Sequence, residues 1–156
     1  MAGSPLRAWV QAAKYRGNPH LLYRAARLLA HVVQQETEIP LRAIQGILAV
    51  PISAQRLRQR GYNQAEWVAK GFSEVWQIPV LKGYWRRSGG ASQLTKTRTQ
   101  RWTSLQTEFE WVKVPPFPVV VVDDVLTTGA TLVAALQGLP HERQVWVCTV
   151  GITQRR

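Results

Sequence analysis

The sequence predicts an α/β protein whose mainly parallel sheet is flanked by helices. Two observations carry the prediction. The run Val119-Val120-Val121-Val122 is uninterrupted, which suits a strand covered on both faces, as in parallel sheets. Apolar strand-like segments also alternate with helical ones along the chain. At 156 residues the chain can build one domain with a real core and is short for two. No internal repeat or long linker divides it, so residues 1–156 read as a single domain.

The elements follow in order. HLLYRAARLLAHVVQQ, from His20, is an amphipathic helix. Leu21, Ala25, Leu28 and Val32 form an apolar stripe at helical spacing, and Arg24, Arg27 and His31 form a solvated one. IPLRAIQGILAV leads into an apolar strand ending near Val50, and PISAQRLRQRGY reads as a basic loop. Asn63 is placed to cap a helix over AEWVAKGF, with Glu66 at the third position as in a capping box. IPVL reads as a short strand, and KGYWRRSGGASQLTKTRTQRW as a polar loop whose last part is a second candidate helix. After PPFP holds the entry extended, the valine run forms a strand. ATLVAALQGL is then a short helix closing near Gly138, and VWVCTVGI a final strand.

Hydrophobic residues at 46% and charged residues at 19% fit a folded chain rather than a disordered one. No apolar stretch approaches membrane-span length, and the first residues lack the apolar centre of a secretory signal. A cytoplasmic location is expected. A lone cysteine, Cys148, excludes an intramolecular disulfide and a Cys-cluster metal site; it reads as a core thiol. Twenty Lys+Arg against nine Asp+Glu give a formal charge of +11, which concentrates anions such as phosphates, nucleic acid or acidic lipid. Six basic residues and no acidic one lie between Lys82 and Arg101, and RLRQR (56–60) is a second concentration.

The valine run ends in Asp123-Asp124, the only aspartates in the chain, followed by Val125, Leu126 and Thr127-Thr128-Gly129. In parallel sheets, ligands bind outside the carboxyl ends of strands. A glycine-containing turn into a helix lets backbone N–H groups approach a phosphate, and threonine hydroxyls add donors. Carboxylates alone repel a phosphate, so this pair must hold sugar hydroxyls or a Mg²⁺. A phosphorylated sugar satisfies both requirements. The P-loop pattern G-x-x-x-x-G-K-[ST] is absent. A phospho-acceptor receiver domain would need a further aspartate, and the sequence has none.

VVVVDDVLTTGAT resembles the phosphoribosyl-pyrophosphate (PRPP) motif of type I phosphoribosyltransferases. VPISAQRLRQRGYNQAEWVAKG resembles the V-P-x-x-x-x-R-x-x-x-R-G-[FY]-N-Q-[AS] signature of the ComF family. KYRGNPHLLYRAARLLA resembles that family's amino-terminal helix, and QLTKTRTQRWTSLQTEF, more loosely, its T-x-x-Q segment. The likeness runs from about residue 14 to 151. It implies a type I phosphoribosyltransferase-like fold and Mg²⁺-dependent transfer of a phosphoribosyl group, a pentosyl transfer, to an unidentified acceptor. By the same resemblance, Asp123 and Asp124 act on the ribose hydroxyls and are the candidate Mg²⁺ ligands. Val125, Leu126, Thr127, Thr128, Gly129, Ala130 and Thr131 wrap the 5-phosphate. Pro51, Ile52 and Ser53, with Arg56 and Arg60, face the pyrophosphate, and Arg86, Arg87, Lys96, Arg98 and Arg101 belong to a basic hood. Many members carry an amino-terminal zinc ribbon of paired cysteines; here no zinc is expected.

Three functions remain open on the sequence: a PRPP-dependent transferase, a PRPP sensor without catalysis, and a handler of single-stranded DNA. The family's link to competence for DNA uptake implies the last, with competence proteins as partners. For single strands, Trp85 beside Arg86 and Arg87, and Trp102 beside Arg101, offer rings and cations for stacking and backbone neutralisation. Asn63 and Gln64 stand between two roles, helix start or substrate contact. The tryptophans equally suit a core or an oligomer interface.

Overall fold

The computed structural model describes residues 18–87, 109–126, 128–137, 139 and 143–152. Among these described residues, nine elements run in the order α1 (Pro19–Glu36), β1 (Gly46–Ala49), α2 (Ala54–Arg60), α3 (Gln64–Trp76), β2 (Trp85–Arg87), β3 (Phe109–Trp111), β4 (Val119–Leu126), α4 (Ala130–Leu136) and β5 (Val145–Ile152). Strands β1, β4 and β5 form a parallel sheet with β4 in the centre. The expected α/β class with a parallel sheet is therefore present.

The valine run explains the layering. Successive side chains of a strand point to opposite faces. Val120 and Val122 enter a core with α1, α3, Ile47 and Val150. Val119 and Val121 enter a second core with Leu48, Trp85, Phe109, Leu132 and Ala135. All four valines are fully buried, so the sheet is covered on both sides.

Segment 78–80 adds a rudimentary outer strand rather than a full one. Val80 bridges Ile47 in parallel, with Ile47 N–H donating to Pro79 O (2.9 Å) and Leu81 N–H to Ile47 O (2.8 Å). From β1 the chain thus turns outward to Val80 on one side, and later enters β4 on the other. The order reverses between β1 and β4, which makes their carboxyl ends a topological switch point, where α/β sheets leave a crevice.

Three expectations need correction. The first is the buried face of α1, which is Leu22, Ala25, Ala26 and Ala30. Leu28 and Val32 are 58% and 50% exposed, because small residues were needed where α1 meets α3. A Cβ on Gly71 of α3 would lie 2.7 Å from Ala26 Cβ and 2.7 Å from the Tyr23 carbonyl oxygen. The helices are also joined by Trp76 Nε1 donating to Ala30 O (3.0 Å) and by Glu74, which accepts from the Tyr23 hydroxyl and lies 3.4 Å from Arg27 Nη2.

The second is the basic loop, which is helix α2. Ser53 caps it, its Oγ accepting from Arg56 N–H (3.3 Å), and Gly61 ends it at φ 78°, a left-handed conformation that glycine adopts without a steric cost. The third is the polar segment before the valine run. Its start forms β2, which pairs antiparallel with β3. Trp85 stacks on Trp111 at 4.6 Å between ring centroids and is 7% exposed. Trp102 and the candidate helix before Phe109 lie outside the described residues.

Candidate functional site

The site begins where β1 gives out. Pairing of β1 with β4 stops at Ala49↔Val122, followed by Val50 N–H donating to Val122 O (2.9 Å). Strand β4 continues through Asp123, Asp124, Val125 and Leu126, still paired with β5 as far as Leu126↔Ile152. One flank of the aspartates is therefore backed by β5, while the other faces the segment that leaves β1.

That gap is a cavity of about 220 Å³. One wall is β4 with Asp123, Asp124 and Val125, joined by Thr131 from α4. The opposite wall holds Pro51, Ile52, Arg56 and Arg60, with Asn63 and Gln64 at the start of α3. Arg87, from the end of β2, completes the lining. Cations and carboxylates from segments far apart in sequence thus meet around one space. A shallower depression of about 400 Å³ lies along α3, bordered by Glu66, Trp67, Lys70, Val80 and Lys82. Carboxylates and arginines do not converge there as they do in the smaller cavity.

Local hydrogen bonds fix the carboxylates. Asp123 Oδ1 accepts from Asp124 N–H (2.8 Å), and Asp124 Oδ1 accepts from Val125 N–H (2.9 Å). Both residues are half-buried. Across the cavity, Arg60 Nη1 donates to Gln64 Oε1 (2.8 Å). Asn63 makes two bonds: its Oδ1 accepts from Ala65 N–H (3.1 Å), and its Nδ2 donates to Val50 O (3.0 Å). The second bond ties the first turn of α3 to the chain leaving β1, which keeps the two parts of the cationic wall together.

Of the expected phosphate segment, Val125 and Thr131 line the cavity, and several other expected residues do not. Val125 and Leu126 are strand residues rather than part of a turn, since β4 outruns the carboxylates. Leu126, Thr128, Gly129 and Ala130 adjoin the cavity in sequence without lining it. Gly129 takes φ 74°, and Thr128 Oγ1 accepts from Ala130 N–H (3.4 Å). Ser53 spends its hydroxyl on capping α2. Arg86 points to Glu110 of β3 in a bidentate pair (2.9 and 3.0 Å) and does not line the cavity. Thr127, Lys96, Arg98 and Arg101 lie outside the described residues. Trp85, offered above as a stacking platform, has its ring buried against Trp111 and Phe109. Asn63 and Gln64, which the sequence leaves between two roles, both line the cavity, and Gln64 is the less expected of the two. Its polar side chain gives no sign of burial, yet it is 3% exposed.

Fold and cavity together define the class: an α/β protein with a charged cleft at the carboxyl end of a parallel sheet, between its two diverging strands. Over 140 residues the chain is 32% identical to competence protein F of Haemophilus influenzae, an alignment that covers 82% of this chain and 58% of that protein. The chain belongs to the ComF family, and it spans somewhat over half the length of this curated relative. No protein-family model matches it. Among the described residues no helix is long and apolar enough to cross a membrane.

Proposed function

We propose that the protein is a PRPP-binding phosphoribosyltransferase-like protein that transfers the phosphoribosyl group to an acceptor nucleophile, within the setting of competence and DNA uptake. The observation that carries this reading is the meeting of Asp123 and Asp124 with Arg56, Arg60 and Arg87 around one cavity at the switch point. PRPP has ribose hydroxyls for the carboxylates and two anionic ends for cations and turn amides. In this arrangement Asp123 and Asp124 accept hydrogen bonds from the ribose hydroxyls, and the segment from Val125 to Thr131 meets the 5-phosphate. Pro51, Ile52, Arg56 and Arg60 face the pyrophosphate.

Transfer breaks the bond between ribose carbon 1 and the pyrophosphate oxygen, and the acceptor forms a new bond at that carbon. Positive charge builds on the ring beside the two carboxylates, while the departing oxygens gain negative charge beside the arginines. Fixed charges aimed at developing charge are an effective means of lowering such a barrier. Asp123 and Asp124, adjacent and half-buried, are the residues that would hold Mg²⁺, an ion that favours carboxylate oxygens. When bound, the ion supplies positive charge to the leaving pyrophosphate.

Isothermal titration with PRPP and Mg²⁺ tests the reading. Wild type should bind, and Asp123→Asn with Asp124→Asn should weaken binding by roughly tenfold or more, the scale of losing charge-assisted hydrogen bonds. A wild-type titration without heat ends the proposal. Pyrophosphate release with any base or amine separates a transferase from a sensor that binds PRPP without turnover. Direct binding of single-stranded DNA is the second reading, favoured by the +11 charge. A steep loss of affinity with salt would support it, and no binding at low salt would dispose of it.

A further inference from the structure

Gln64 lines the cavity and carries a buried polar group that the fold leaves unsatisfied. It is the first residue of α3, 3% exposed, and part of the cavity lining. Its Oε1 is held by Arg60 Nη1 at 2.8 Å, and its Nε2 has no hydrogen-bond partner among the described residues. The amide's orientation follows from chemistry. A guanidinium only donates, so the atom that meets Arg60 must be the oxygen, and the amide nitrogen is left as a donor. A buried amide donor calls for an acceptor. The side chains beside it on this wall, Arg56 and Arg60, are donors as well and supply none.

We infer that Gln64 is a ligand-binding residue whose Nε2 donates to an oxygen of the pyrophosphate group, and that Arg60, besides facing that group, positions the amide by holding its oxygen. The inference rests on the proposed function for its choice of ligand, the pyrophosphate group. Gln64 stands on the cationic wall, across from the carboxylates of β4, so its acceptor belongs to the anionic end of the ligand and not to the ribose. An amide adds to that wall a neutral donor whose direction is set, where a third cation would bind any anion.

Two probes, inorganic pyrophosphate with Mg²⁺ and ribose 5-phosphate, test this by titration calorimetry. Gln64→Glu has the same shape but sets a charged acceptor in place of the donor. It should weaken pyrophosphate binding by about a hundredfold through like-charge juxtaposition, with ribose 5-phosphate within about twofold of wild type. Gln64→Met, of similar volume and without the donor, should lose about tenfold in pyrophosphate affinity, and it decides the matter if Gln64→Glu fails to fold. In a double-mutant cycle, Arg60→Ala should cost much less pyrophosphate affinity in the Gln64→Met background than in wild type. Wild-type indifference to pyrophosphate, or wild-type affinity in both Gln64 variants, overturns the ligand role; strict additivity in the cycle overturns the positioning role. Pyrophosphate binding that depends on Gln64 in a protein that ignores PRPP would sink the proposed function and keep this one. PRPP and pyrophosphate binding untouched by Gln64 would do the reverse.

Discussion

Asn63 connects the fold to the cavity, and replacing it should be expensive. The residue is 5% exposed. Its side chain caps α3 through Ala65 N–H and donates to the Val50 carbonyl. Asn63→Ala removes both bonds at once. Loss of the cap costs about 1 kcal/mol, and a buried carbonyl left without its donor costs about 1–3 kcal/mol. The expected total is about 2–4 kcal/mol, a large fraction of the ~5–15 kcal/mol that holds a domain folded. Asn63→Asp separates the two contributions. It keeps an acceptor for the helix start, where negative charge is favoured, but has no donor for Val50. It should therefore lose about 1–3 kcal/mol. Urea unfolding followed by tryptophan fluorescence measures both, with an unchanged denaturant slope as the sign that stability alone has moved. An Asn63→Asp variant within about 0.5 kcal/mol of wild type refutes the role given to the Val50 bond. Asn63→Ala within the same margin refutes the whole account.

At Gly71→Ala, a better helix former gains about 1 kcal/mol, but its Cβ meets Ala26 Cβ and the Tyr23 backbone at 2.7 Å. Overpacking of about 1–3 kcal/mol should win, and a variant more stable than wild type by urea unfolding would contradict the close helix approach. Burial pushes the Cys148 thiol up from its ordinary 9.0 to about 11. Folding therefore favours the protonated form. This contribution, roughly 3 kcal/mol, is complete below pH 9 and lost as the pH passes 11. Stability measured from pH 8 to 11 should fall more steeply for wild type than for Cys148→Val; parallel curves would argue against the burial. The Arg86–Glu110 pair is 67% and 52% exposed, so Glu110→Ala should change stability by less than about 1 kcal/mol. A larger loss in urea unfolding would show that the β2–β3 pair depends on it.

Much of the α/β plan was legible because it rests on local patterns. Four consecutive valines have no solvent-facing position among them, and the structure buries all four. Asn63 as a helix cap and the carboxylates in the carboxyl half of β4 also follow from neighbouring residues, although the strand runs two residues beyond them. Part of what escaped was set by distant partners. Leu28 and Val32 fall on a good apolar stripe, yet α3 approaches over the alanines. The alternating arginines of 56–60 hid a helix whose Ser53 cap and Gly61 stop were both in plain view. Pairing of Trp85 with Trp111 spans a long intervening segment, and neither strand has a periodic signature at three residues. Gln64 lies buried at the start of α3, its Oε1 accepting from Arg60 Nη1, and a glutamine in a first helical turn carries no hydrophobic signal of that burial.

The cavity's two facing walls, one drawn from residues 50–65 and the other from Asp123, Asp124, Val125 and Thr131, are brought together by the pairing of β1 with β4. Opening the sheet destroys the cleft, and no short excised peptide would retain it. A small molecule seated there should therefore oppose denaturation of the entire domain, by about 2.7 kcal/mol at a hundred times its dissociation constant. Heat-melting shifts against a library of sugar phosphates would then serve as a first search for the natural ligand.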